Sequence, residues 1–175
     1  NMIAQQVLLA LAPGQPAQPA TFEAARAEVQ ALALARGCRE GELVIDNGSG
    51  LSRIERISAR NMGRLLQQAD ANPNGSILRD ALPVVGVDGT MRNRLTRAGI
   101  AGNAEIKTGT LNDVRAIAGY VEGENGERFV VVSMINHPNA SAGQAAHDAL
   151  LRAHETAGPS QSFFDVAATG QRLFL

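Results

Sequence analysis

Apolar residues recur at helical spacing from the first residues of the chain, at Ile3, Val7, Leu8 and Leu11, until Pro13-Gly14 stops the run. A Pro/Ala/Gln-rich loop leads to Thr21, a residue suited to cap a second helix with Phe22, Ala25, Val29 and Leu32 on one face and Gly37 past its end. Leu43-Val44-Ile45 reads as a short strand, followed by the glycine turn Asn47-Gly48-Ser49-Gly50. Ser58 caps a third helix with the stripe Met62, Leu65, Leu66 and Ala69, and Asn72-Pro73 ends it. After a glycine-punctuated connection from Gly86 to Gly102, three strand-like runs follow, Ala104–Leu111, Arg115–Val121 and Arg128–Asn136. Asn125-Gly126 is a strong hairpin signal between the last two. An Ala-rich helix from Ser141 to Ala157 closes the pattern at Gly158-Pro159. Helices, an antiparallel meander and a helix to lie on it predict an α+β fold: an antiparallel sheet with helices packed on it.

Composition narrows the function classes. At 175 residues the chain is one domain or one large piece of a domain, with residues 1–159 patterned and residues 160–175 a tail of unclear structure. Net charge is -1 and no basic tract exists, which argues against nucleic acid and anionic membrane as partners. Aromatic residues are 3% of the chain, too few for a base-stacking platform. Cys38 is the sole cysteine, so no intrachain disulfide forms. The apolar run Val7 to Ala12 is too short to span a bilayer and lacks the basic flank of a signal peptide. The start at Asn1, with no polar lead-in before the first helix, suggests a chain cut within a larger protein.

Of the 16 Lys and Arg residues, one is lysine, Lys107, and it opens Lys107-Thr108-Gly109-Thr110 on the first strand of the meander. An ammonium is a compact charge that rotates its donors and can lose its proton when desolvated, whereas a guanidinium does neither. If this strand lies at the sheet edge, its free backbone groups can pair with an extended peptide. Gly109 removes a side chain where another backbone would approach, and Thr108 offers a hydroxyl to a carboxylate. Strict alternation places Lys107 and Thr108 on opposite faces, in tension with their sharing one groove. The plainer alternative is a charged edge with a glycine bulge.

Other constellations are weaker. Ser49 lacks the first glycine of Gly-x-Ser-x-Gly, since Asn47 stands there, so a tight turn is expected rather than a nucleophile. Arg53 breaks Gly-x-Gly-x-x-Gly. His147 and His154 are about two turns apart on one helix, too far to share a metal, and read as surface or helix-capping residues. His137-Pro138 reads as a strand exit, and Glu122, Glu124 and Glu127 as a solvated hairpin tip.

Lys-Thr-Gly is one of the signatures of penicillin-binding proteins and β-lactamases. Further segments resemble the class C penicillin-binding family in the same order: Asn1-Met2-Ile3-Ala4, the end of a Ser-x-Asn motif and its helix; Asn47-Gly48-Ser49-Gly50-Leu51-Ser52-Arg53; Leu82 to Thr90; and Ala118-Gly119-Tyr120. The resemblance covers residues 1 to 157 and implies part of a transpeptidase-like fold from a D-alanyl-D-alanine carboxypeptidase/endopeptidase. It implies that Asn1 holds the substrate's peptide carbonyl or the catalytic lysine, and that Lys107 supports proton traffic and binds negative charge. It implies too that Thr108 grips the terminal carboxylate of D-Ala-D-Ala or a β-lactam, and that the Thr110 N–H serves the oxyanion hole.

The Ser-x-x-Lys nucleophile motif is absent, because Ala104 stands three residues before Lys107. The resemblance therefore implies the C-terminal part of a catalytic domain whose serine lies in a missing N-terminal part of the same protein. It also implies peptidoglycan peptides and β-lactams as partners, a periplasmic or extracytoplasmic location, and no metal or organic cofactor. A sheet edge left bare by the cut makes a homo-oligomer of the isolated chain possible. The rival reading is a penicillin-binding-like module that binds a peptide or a partner without turning it over. A β-lactamase differs from the carboxypeptidase only in its deacylation rate.

Overall fold

The computed structural model describes residues 1–12, 19–97 and 99–155. Ten principal elements follow the predicted order. They are α1 (Met2–Leu9), α2 (Phe22–Ala35), β1 (Leu43–Val44), β2 (Arg56–Ile57), α3 (Ala59–Asp70), α4 (Gly75–Asp80), β3 (Ala104–Leu111), β4 (Val114–Glu122), β5 (Arg128–Asn136) and α5 (Gln144–Glu155). Short 3-10 turns at Gly89–Met91 and Ala140–Gly143 precede β3 and α5. The expected tail from Ser160 and the Gly158-Pro159 stop lie outside the described residues.

The caps are those the sequence calls for. The Thr21 hydroxyl accepts from the Ala24 N–H at 3.1 Å, and that of Ser58 from the Asn61 N–H at 3.2 Å. Gly37, with φ of +90°, reverses the chain after α2, letting the Cys38 N–H return to the Ala33 carbonyl at 3.0 Å. Two apolar stripes turn out differently. On α1 only Leu8 is buried, while Ile3, Val7 and Leu11 are exposed. On α2 the inner face runs through Ala25 and Ala33, and Leu32 faces out. Those outward leucines and isoleucines are unspent apolar surface.

The meander forms one antiparallel sheet in the order β3-β4-β5, and β1 and β2 form a separate two-stranded ribbon. Alternation sorts the sheet into two faces. Ala104, Ile106, Ile117, Val121 and Val131 join Leu151 of α5 in the main core. Ala116 and Met134 face the other way and pack with Ile57, Met62 and Leu65, beneath α3. The sheet is thus sandwiched between α3 and α5, while α1 packs on α2 around Leu8 and Ala25.

Gly119 fixes how closely β3 and β4 approach. A Cβ there would sit 2.0 Å from the Glu105 carbonyl oxygen. The predicted hairpin closes as expected: the Gly123 N–H donates to Glu127 O at 2.8 Å, with Gly126 at φ +78°.

Candidate active site

The outer edge of β3 divides into two halves. Along the first, the segment Pro83–Val85 pairs with the strand. The Val85 N–H donates to Ala104 O at 2.9 Å and the Ile106 N–H to Pro83 O at 2.8 Å. In an antiparallel ladder the N–H and C=O of one residue point the same way, and alternate residues point to alternate sides. Ala104 and Ile106 point outward, so Thr108 and Thr110 do as well, while Lys107 and Gly109 pair inward with Ala118 and Ala116 of β4. Among the described residues, no strand covers the outer edge beyond Ile106. The Thr108 N–H and the backbone groups of Thr110 are therefore open to an approaching chain.

The conflict between Lys107 and Thr108 is settled by the length of the lysine. Its Cβ lies on the α3 side, yet its ammonium bends round the edge and donates to the Thr108 carbonyl. Partial desolvation there draws the Lys107 pKa below its ordinary value. On the α5 side, the Thr108 hydroxyl donates to the Thr90 hydroxyl at 2.9 Å. Thr90 belongs to the 3-10 turn at Gly89–Met91, so the glycine-punctuated connection holds a side chain of the Lys-Thr-Gly strand in place.

Beside these threonines is a cavity of about 180 Å³ lined by Thr90, Arg94, Thr108, Thr110, Arg115 and His147, among others. His147 is not the surface or capping residue the sequence suggested: it is 3% exposed, because α5 turns it onto the sheet. Its Nε2 has no hydrogen-bond partner. Burial lowers its pKa, the Arg94 guanidinium lowers it further, and Asp148 opposes the shift. Arg94 itself is ion-paired with Asp148. The side chain of His154 lies outside the description.

Asn1 stands at the N-terminus of α1, where its side-chain amide donates to the Ser49 carbonyl. Among the described residues Asn1 and Lys107 share no hydrogen bond. The Asn47–Gly50 turn is built as a turn: Glu55 accepts from the N–H groups of Asp46, Asn47 and Gly48 at 3.2, 3.3 and 3.0 Å. The Ser49 hydroxyl accepts from the Leu51 N–H at 3.1 Å. Arg53 then reaches Asp113 in the β3–β4 turn at 3.4 Å, bringing this segment to the far end of the open edge.

Thr90, Arg94, Arg115 and Glu55 were not singled out by the sequence. The glycines between Gly86 and Gly102 marked the connection that carries the first two, but not what their side chains touch. No cluster of three His, Cys, Asp or Glu side chains able to hold a metal occurs among the described residues. No helix among them is long and apolar enough to cross a membrane.

The fold is that of a penicillin-binding protein. The chain matches the crystal structure of penicillin binding protein 4 (dacB) from Haemophilus influenzae with a TM-score of 0.73 and 27% identity, over 87% of this chain and 37% of that one. The same protein complexed with a β-lactam matches with a TM-score of 0.72 at 27% identity, over 87% of this chain and 39% of that one. The chain belongs to the D-Ala-D-Ala carboxypeptidase 3 (S13) family, whose sequence profile matches residues 1–156. It is 31% identical over 138 residues to the D-alanyl-D-alanine carboxypeptidase DacB of Haemophilus influenzae, covering 78% of this chain and 29% of that protein. It is 35% identical over 145 residues to a D-alanyl-D-alanine carboxypeptidase of Actinomadura, covering 79% of this chain and 27% of that protein. The chain thus spans less than a third of the length of these two relatives.

Proposed function

We propose that residues 1–159 are the C-terminal part of the catalytic domain of a serine-type D-alanyl-D-alanine carboxypeptidase/endopeptidase. In this reading it works on peptidoglycan peptides outside the cytoplasmic membrane and is acylated by β-lactams. The observation that carries the reading is the open half of the β3 edge, with Thr108 and Thr110 facing outward and the Lys107 ammonium bent onto it. An extended peptide adds to such an edge through its main chain.

The roles follow from placement. The substrate lies along Thr108 and Thr110, and the Thr108 hydroxyl meets its terminal carboxylate. The Thr110 N–H, fixed by the sheet before any charge develops, donates to the oxyanion. Lys107 supplies positive charge and, with its lowered pKa, a group able to exchange a proton. Asn1 holds the substrate's peptide carbonyl or the catalytic lysine. The serine comes from the N-terminal part: its oxygen attacks the D-Ala-D-Ala carbonyl, the C–N bond breaks, and the leaving amine takes a proton as D-alanine departs. Water then hydrolyses the ester. The exposed apolar side chains of α1, with Met2 79% and Ile3 81% exposed, supply a surface for that part to cover.

Intact-mass spectrometry after incubation with excess benzylpenicillin tests the reading. The full-length protein should gain one penicillin, and residues 1–175 alone should gain none, since acylation needs an activated serine. A full-length protein that binds peptidoglycan peptides yet never acylates would instead establish the non-catalytic module.

A further inference from the structure

Glu55 is buried, 9% exposed, yet the roles above leave it unused. Among the described residues no lysine or arginine pairs with it. Its charge is met by backbone: one oxygen, Oε1, accepts from the N–H groups of three consecutive residues, Asp46, Asn47 and Gly48. Successive N–H groups converging on one anion form a nest, and hydrogen bonds to a carboxylate are stronger than those to a neutral acceptor. The carboxylate therefore fixes the base of the Asn47–Gly50 turn.

That turn lies against α1. Gly48 adopts a φ of +68°, and a Cβ there would come within 3.0 Å of Leu8 Cδ2, so glycine lets the turn approach the helix. Ser49 follows, its N–H held by Asn47 Oδ1 at 3.0 Å, and its carbonyl receives the side-chain amide of Asn1. A carbonyl can only accept, so it fixes which end of that amide faces it. Nδ2 turns toward Ser49, and Oδ1 and the second amide hydrogen are left for the site. The Asn1 side chain makes no capping bond to α1 itself, so the turn is what orients it.

We propose that Glu55 is a positioning residue for acylation: by gathering the N–H groups of Asp46, Asn47 and Gly48 it fixes the Ser49 carbonyl, and through that carbonyl the side-chain amide of Asn1. The inference rests on the function proposed above and adds to it the residue that sets the orientation of Asn1. Glu55 itself touches neither substrate nor the reacting atoms. Its removal leaves three N–H groups without their acceptor, and the turn that presents the Ser49 carbonyl loses its anchor. Glu55→Gln keeps an oxygen where Oε1 stands, whereas Glu55→Ala keeps none.

The test is the second-order rate of acylation by benzylpenicillin, measured on the full-length protein and its variants alongside thermal unfolding. Glu55→Ala should lower that rate by roughly 10- to 100-fold, the scale set by a misplaced group near the reacting atoms. Glu55→Gln should retain most of the wild-type rate. Asn1→Ala should lower the rate as well, and adding Glu55→Ala to it should cost no more than about twofold further, because the side chain that Glu55 positions is gone. A merely structural residue would cost the same factor in both backgrounds, and that result overturns the inference. So does a wild-type rate in Glu55→Ala, or a Glu55→Gln rate as low as that of Glu55→Ala. Should Glu55→Ala fail to fold, Glu55→Asp, which keeps the charge and withdraws the oxygen by one methylene, takes its place in the same cycle with the same outcomes. A wild-type protein that acylates while the cycle shows no coupling defeats the inference alone, whereas one that never acylates defeats the function proposed above as well.

Discussion

The two halves of β3 have the same partner on one side and opposite fates on the other. From Ala104 to Ile106 the strand is paired on both edges and its inward side chains are fully buried. From Lys107 onward the outer edge is bare, and the side chains are polar, small or solvent-facing. Residues in the first half are held by packing, where every atom has a neighbour. Those in the second are held by a few hydrogen bonds, from Thr90, from the Lys107 ammonium and from β4. A strand can therefore be stable and available at once, because the first half anchors what the second half presents.

Substitutions in each half should separate these roles. The largest effect belongs at Gly119, where any side chain strikes the Glu105 carbonyl. Gly119→Val should destabilise the protein by about 3 kcal/mol or more, seen in urea denaturation, since neither strand can move without opening the main core. A stability within experimental error of wild type would mean that β3 and β4 are not clamped as described.

Smaller in stability but decisive for activity are substitutions in the open half. In the full-length protein, Lys107→Arg should lower the benzylpenicillin acylation rate by on the order of 10²-fold, because a planar, permanently charged group replaces a proton-exchanging ammonium. Thr108→Val should cost less, about tenfold, in recognition of the carboxylate. Both should leave the unfolding midpoint nearly unchanged. Parental acylation rates in both would reduce the motif to a charged sheet edge.

The smallest effect is a pH dependence at Lys107. Its folded pKa is lowered by desolvation, so at neutral pH the charged lysine burdens the folded state relative to the unfolded one. Lys107→Met should then stabilise the chain slightly at neutral pH. As pH rises through the folded pKa towards 10.5, the folded lysine sheds its proton first and the difference should shrink. Denaturation curves across that window, with the gap widening instead, would show that the ammonium is stabilised where it sits.

The strands were legible because β-branched runs bounded by Asn125-Gly126 and by glycine-rich segments leave little choice of register. Both helix caps were legible for the same local reason. β2 was not, since Arg56-Ile57 is too short for any period to show. Nor was α4, which starts two residues after the proline that reads as a stop. Its first residue, Gly75, is there because a Cβ would come within 2.4 Å of the Ala69 carbonyl oxygen, a contact no local pattern encodes.

The site divides in the same way. Lys107, Thr108, Gly109 and Thr110 are contiguous, so one motif finds them. Thr90 meets Thr108 only once the connection has folded back, Arg115 joins Thr110 only through register, and His147 joins them only when α5 docks. A histidine on an amphipathic helix looks like a surface residue until the helix's rotation is known.

Pro83–Val85 does more than complete a ladder. By occupying the strand as far as Ile106, it leaves only Thr108 and Thr110 as outward-facing positions, about 7 Å apart at the usual rise of a strand. The segment is in effect a ruler's stop: whatever docks can advance along the edge by roughly two residues and no further. A longer strand from another chain finds the remaining length already taken, so edge-to-edge pairing is limited to the free stretch. The same stop limits the free edge to the length of a dipeptide.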